Sequence, residues 1–223
     1  MDKLSWPGSF SQTNIPIVTY SYPLIFAFAF TTLIFALLGI VTITLLFLVC
    51  TFFICFFFRD PERIVTDKKD AVVSPADGRI ILIKEESKSP FLEGTHIKIS
   101  IFMSVFNVHV NRIPYTGKVT ETIYHPGRFL PANFDKASLQ NEHNAVILET
   151  KNGKQLCMVQ IAGLIARRII SKIQIGEVVS RGQRFGMICF GSRVDIYLPC
   201  DTKLAVKLGS KVTAGSSVLG YLI

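Results

Sequence analysis

An aspartate, a histidine and a serine stand in three short motifs of this 223-residue chain. They are Asp77 in Ser-Pro-Ala-Asp-Gly (74–78), His109 in Val-His-Val-Asn-Arg (108–112) and Ser192 in Phe-Gly-Ser-Arg-Val-Asp (190–195). A serine hydroxyl is a weak nucleophile until a base takes its proton, and a carboxylate orients and stabilises that base. Together the three types allow activation of a hydroxyl for attack on a carbonyl. Taken singly, each has a plainer reading: Asp77-Gly78 as a turn, His109 as a core histidine, Gly191-Ser192 as the start of a strand. Separations of 32 and 83 residues decide nothing, because such groups assemble in space.

The elements that must position these residues follow from hydrophobic patterning. From residue 59 on, short apolar runs of period two alternate with Gly, Pro, Asp and Asn. The pattern predicts strands at 71–73, 79–84, 96–102, 117–124, 144–150, 155–161, 177–179, 192–198 and 204–207. Asp77-Gly78, Asn152-Gly153 and Arg181-Gly182 are turn signals between them. The segment 59–223 therefore reads as a mostly β domain with none of the strand-helix alternation of a parallel α/β fold. Residues 206–215 have the rhythm of a lipoyl- or biotinyl-type hammerhead, without a lysine placed to swing a prosthetic group.

Residues 4–58 contain no Asp, Glu, Lys or Arg, so the net charge of +8 belongs to the rest of the chain. Within that run, 23–58 is an apolar stretch of 36 residues carrying ten of the eighteen phenylalanines. As one straight helix it would be roughly 54 Å long against a hydrocarbon core of about 30 Å. The length favours a hairpin of two helices turning near Leu38-Gly39-Ile40, over one tilted span. Residues 1–58 thus read as an N-terminal transmembrane anchor. Arg59, Arg63, Lys68 and Lys69 follow the span while only Lys3 precedes it, so the β domain is expected on the cytoplasmic side of the cell membrane.

The five cysteines form no C-x-x-C pair, and the four histidines are not at metal-ligand spacing. The expectation is no metal, with the thiols reduced and buried as small apolar residues. The basic residues lie along strand-like segments and not on a helix, and no aromatic RNA-binding signature is present, which argues against nucleic acid. The basic balance instead suits anionic lipid head groups.

Taken in order, Phe58-Arg59-Asp60-Pro61-Glu62-Arg63 after an apolar span and the motifs at 74–78, 108–112 and 190–195 resemble the phosphatidylserine decarboxylase family in its short proenzyme form. The resemblance covers nearly everything from residue 57 to the C-terminus. It implies an enzyme that cuts itself between Gly191 and Ser192, leaving a β chain of 1–191 and an α chain of 192–223. Ser192 would become a pyruvoyl group, the covalently formed pyruvate cofactor, with Asp77 and His109 activating it. The mature group would then join the substrate amine and accept the electron pair left by carbon dioxide. His109 is also the candidate for returning a proton.

The resemblance further implies a phospholipid substrate, a membrane location and a homodimer. It points to conversion of phosphatidylserine to phosphatidylethanolamine, with another serine-headed lipid such as archaetidylserine left open. Tyr124-His125-Pro126-Gly127 and Asn141-Glu142-His143-Asn144 match further family stretches, in catalytic or structural roles. Arg167 and Arg168, among isoleucines, are candidates for the lipid phosphate or a solvated basic edge. Two other functions compete. A membrane-anchored non-catalytic adaptor with a lipoyl-like element leaves the ordered motifs unexplained, and a serine protease lacks the Gly-x-Ser-x-Gly elbow.

Overall fold

The computed structural model describes residues 16–127, 140–163, 168–189 and 191–223, and divides into two units, Met1–Glu62 and Arg63–Ile223. In the first unit a 3-10 turn, Thr19–Ser21, leads into helix α1 (Tyr22–Leu37), and α2 (Val41–Phe57) follows. Gly39 ends α1 with a φ of 73°, a left-handed value that costs glycine little. The Ile40 N–H donates to Phe35 O at 3.0 Å and the Gly39 N–H to Ala36 O at 3.1 Å, the double closure of a Schellman cap. The helices pack through Phe47, whose ring lies 5.7 Å from Phe28 and 5.9 Å from Phe35. Thr31, Thr32, Thr44 and Thr51 return their hydroxyls to carbonyls four residues back, which satisfies them within an apolar surface. Phe26, Leu37, Val41 and Phe52 stand exposed, and Thr19–Leu37 is long and apolar enough to cross a membrane.

Among its described residues, the second unit is built of three antiparallel sheets. The largest has eight strands in the order β13 (Lys211–Val212), β2 (Gly78–Lys88), β3 (Thr95–Met103), β11 (Ser192–Pro199), β7 (Gln155–Ile161), β6 (His143–Glu149), β5 (Gly117–His125) and β9 (Val178–Val179). A second joins β1 (Ala71–Val73), β14 (Val218–Tyr221) and β12 (Lys203–Leu204). The third joins β4 (Val110–Arg112), β10 (Arg184–Ile188) and β8 (Ile169–Ser171). The chain is thus mostly β with an N-terminal apolar helix, as its patterning predicts. Bulges in β2 at Ile80/Leu82 and Lys84/Ser87 add local twist, which helps the large sheet to curl.

Strand β11 lies in the middle of the large sheet, paired with β3 from Ser192↔Met103 to Pro199↔His96. It is buried on both faces. Val194, Ile196 and Leu198 join Ile99, Ile101 and Met103 in the main core, while Tyr197 joins Ala145, Cys157 and Val159 in a cluster on the other face. Of the described cysteines only Cys157 is buried, whereas Cys200 is exposed and its thiol donates to Thr95 O at 3.0 Å. The expectation that all five are buried therefore holds only for Cys157: Cys50, Cys55 and Cys189 are partly exposed, and Cys200 is exposed because it falls in the turn just after β11 leaves the core.

Candidate active site

Ser192 is the first residue of β11 and is fully buried. Its hydroxyl donates to Met103 Sδ at 3.5 Å, directly across the ladder on β3. Met103 also receives Asn111 Nδ2 at 3.8 Å. One thioether therefore links the Ser192 strand to β4. Asn111 is held in turn by Gln160 Nε2 at 2.8 Å, and Gln160 Oε1 accepts from Asn144 Nδ2 at 3.1 Å. This chain of buried amides fixes the wall beside Ser192. Gly186 is required there, since a Cβ would lie 2.5 Å from Ile170 O and 2.8 Å from Gln160 Nε2.

Gly191, on the other side of the candidate scissile bond, has a φ of 49°, and a Cβ on it would meet nothing within 4 Å. The turn is left-handed and open on that side. Phe190, which precedes it in the motif, lies outside the described residues. Of the other Gly-Ser pairs, Gly8-Ser9 lies outside the described residues, and Gly209-Ser210 and Gly215-Ser216 serve turns. Ser210 Oγ accepts from the Lys207 N–H at 3.2 Å, and Ser216 Oγ donates to Ile64 O at 3.0 Å.

His109 immediately precedes β4 and is 1% exposed. Its carbonyl accepts from the Ile188 N–H at 3.3 Å, which extends the β4–β10 ladder by one residue. The next motif is tied to the same strand, because the Arg112 N–H donates to Pro75 O at 2.9 Å. Asp77 follows in that turn. Its Oδ1 accepts from the Ala214 N–H at 2.7 Å and its Oδ2 from Arg63 Nη2 at 2.9 Å. Arg79, two residues on, pairs with Phe102, whose neighbour Met103 pairs with Ser192. The three motifs therefore converge at one end of the large sheet, around Met103.

The other candidates fall elsewhere. His125 ends β5 opposite His143, with their rings stacked at 5.0 Å, while His143 Nδ1 lies 2.8 Å from Asn141 O. On the sheet, three strand steps separate β5 from β11. Gly127 packs on the backbone of 141–142, where a Cβ would lie 2.3 Å from the Asn141 carbonyl carbon. Arg168 is exposed, and Arg167 lies outside the described residues.

Sequence reasoning missed Met103, Gln160 and the tie from Arg63 to Asp77. Arg63 had a signal, since it closes the motif after the apolar span. Met103 and Gln160 had none, because their parts depend on which strands become neighbours.

Comparison with known proteins gives a consistent result. Residues 50–220 match the family model described as Phosphatidylserine decarboxylase. A curated protein of Desulfotalea psychrophila named phosphatidylserine decarboxylase proenzyme is 48% identical over 212 residues, covering 95% of this chain and 99% of the relative. A protein of the same name from Syntrophus aciditrophicus is 52% identical over 199 residues, covering 89% and 93%. One from Syntrophotalea carbinolica is 48% identical over 209 residues, covering 94% and 98%. With matches of this length and identity, and with its motifs gathered at one end of the central sheet, the chain belongs to the phosphatidylserine decarboxylase family.

Proposed function

We propose that this chain is a membrane-held, self-processing decarboxylase that converts phosphatidylserine to phosphatidylethanolamine. The observation that carries this reading is the setting of Ser192. Alone among the three Gly-Ser pairs within the described residues, it combines a buried hydroxyl, a place on the central strand and a preceding glycine turn that is open. These features fit formation of a pyruvoyl group at this position.

In self-processing, Ser192 Oγ attacks the Gly191 carbonyl carbon. The C–O bond forms, the C–N bond breaks, and the serine nitrogen takes up the proton. Loss of the Ser192 α-proton then expels the Gly191 carboxylate, leaving a dehydroalanine. Addition of water and loss of ammonia complete the pyruvoyl group. His109 is the base for the first proton, and Asp77 holds the arrangement that makes it basic. General-base help of this kind is worth about 10²–10⁴-fold.

In the mature site the pyruvoyl carbonyl, joined to the substrate amine, supplies the electron sink for decarboxylation. His109 returns a proton to the substrate carbon. The residues around Met103 exclude water from the buried side.

The 32-residue α chain stays bound after the cut, because its strands belong to two sheets. β11 runs between β3 and β7, β13 pairs with β2, and β14 with β1. The apolar helices hold the β-rich unit at the cytoplasmic face, where the basic residues after the span favour retention.

Intact mass spectrometry beside a Ser192→Ala variant tests the reading. Two pieces are expected, the smaller being 32 of 223 residues, or roughly 3.6 kDa of the 24.9 kDa total. It should be lighter than a serine-started peptide by the mass of one ammonia, and Ser192→Ala should stay whole. A cut that persists in Ser192→Ala would sink the assignment of Ser192. An uncut wild-type chain that releases no carbon dioxide from phosphatidylserine would sink the function.

A further inference from the structure

Beside the Asp77 turn lies a groove of about 520 Å³, lined by Arg79, Ile81 and Phe102, by Lys211, and by the Ser104 and Asn107 turn. Lys211 and Arg79 are direct register partners on adjacent antiparallel strands, so their side chains rise from the same face of the sheet. Phe102 is Arg79's own partner on β3 and continues that row. Both cations are exposed, and among the described residues neither is in an ion pair. Two bare like charges side by side are unfavourable by themselves. An anion between them relieves that repulsion.

The groove is also graded in charge. Its cations lie at the β13–β2 edge, and the Asp77 carboxylate lies at the end of the sheet where Ser192 begins β11. Two strand spacings, about 10 Å, separate β2 from β11. An Arg79 side chain reaching back and a serine-type head group, with its amine a few bonds from phosphorus, together span that gap. The path runs round the end of β3, past the turn that Asn107 closes by accepting from Ser104 N at 2.9 Å. Phe106, beside Asn107, is 68% exposed, and Leu208, in the turn entering β13, is 66% exposed. Apolar side chains next to a cationic groove suit a ligand with both a phosphate and acyl chains.

We infer that this groove seats the phosphodiester of the lipid substrate, with Lys211 and Arg79 as its two cations and Phe102 and Ile81 as its apolar floor. The inference rests on the decarboxylase reading for the identity of the lipid, and on the groove's own geometry for the phosphate.

The test uses the full processed protein and Lys211→Gln and Arg79→Gln variants, each checked first for self-cleavage and unfolding temperature. Should either variant misfold, Lys211→Arg and Arg79→Lys, which keep the charge, take its place and are expected to bind close to wild type. Glycerophosphoethanolamine, a phosphodiester head group without acyl chains, is titrated by calorimetry, with ethanolamine as the phosphate-free control. Charge-assisted hydrogen bonds to phosphate predict that each Gln variant weakens glycerophosphoethanolamine binding by about tenfold or more. Ethanolamine binding should not change. The KM for short-chain phosphatidylserine below its micelle concentration should rise in the same proportion.

The inference is overturned if wild type does not bind glycerophosphoethanolamine. It is equally overturned if the Gln variants bind it normally and lose activity only on vesicles, which would assign the cations to the bilayer surface. Wild type that binds the head group but releases no carbon dioxide would refute the decarboxylase reading while upholding the groove.

Discussion

Replacing Asp195 by alanine removes the carboxylate that neutralises two cations inside the central sheet. Asp195 is 1% exposed and accepts from Arg193 Nε at 2.5 Å, from Arg193 Nη2 at 3.2 Å and from Lys98 Nζ at 3.0 Å. Arg193 is itself fully buried and also donates to Ser100 Oγ at 2.7 Å, so its guanidinium has no short path to water. Deleting one partner of a buried ion pair costs about 3–5 kcal/mol, because the remaining charge stays buried. That is a large share of a domain stability of about 5–15 kcal/mol. For a domain of this size it corresponds to a fall of roughly 6–20 °C in Tm.

The loss is best measured in a Ser192→Ala background, where the chain stays whole and unfolding is not coupled to cleavage. Lys98→Met should cost far less, about 1 kcal/mol, because the Lys98 side chain is partly exposed and its charge is partly solvated. Arg193→Met combined with Asp195→Leu should recover most of the stability lost in Asp195→Ala, since neither charge then remains. An Asp195→Ala loss below about 1 kcal/mol would refute the reasoning, since it would match an exposed pair.

Three further outcomes are expected. Gly78→Ala puts a Cβ 2.2 Å from Phe102 O, a backbone clash beside Asp77, so it should destabilise by about 3 kcal/mol and block self-cleavage; near-normal cleavage and melting would refute the close approach. His96 is held below its ordinary value of 6.5, chiefly by burial and partly offset by a hydrogen bond with the Gly94 backbone. The unfolded chain therefore takes up that proton first, so the His96 contribution is full above about pH 6.5 and drains away as pH falls. His96→Gln should flatten the drop in Tm between about pH 7 and pH 5, and an unchanged slope would exclude His96 as its source. In native protein at pH 8, iodoacetamide should label exposed Cys200 well before Cys189, whose thiol burial pushes up to about 11, and before buried Cys157, raised by the same cause. Peptide mapping reads the order, and early labelling of Cys157 would contradict its place in the core.

Much of the large sheet was legible because its long strands carry a period-two signal. The predicted segment 155–161 coincides with β7, and 96–102 lies within β3. Among the short strands, β1 coincides with the predicted 71–73 and β9 lies within 177–179, but β4, β8 and β10 were not legible. β4 is Val-Asn-Arg, fully buried although two of its three side chains are polar, because Gln160 meets Asn111 and Gly182 O meets Arg112 at 3.1 Å. β10 contains Gly186, which reads as a strand breaker until the approach of Ile170 O explains it. In both, tertiary partners supply what local propensity lacks.

Charge segregation and hydrophobic period were enough, from the sequence alone, to separate an apolar N-terminal segment from a mostly β remainder. The ordered motifs were enough to point to the family that the comparisons then established. Which Gly-Ser pair is buried, how Arg63 reaches Asp77 and how Met103 joins Ser192 to Asn111 were decided only by the tertiary structure. The physical reason is range. Period and charge act between near neighbours along the chain, whereas these contacts join residues brought together by strand order, which no local pattern encodes.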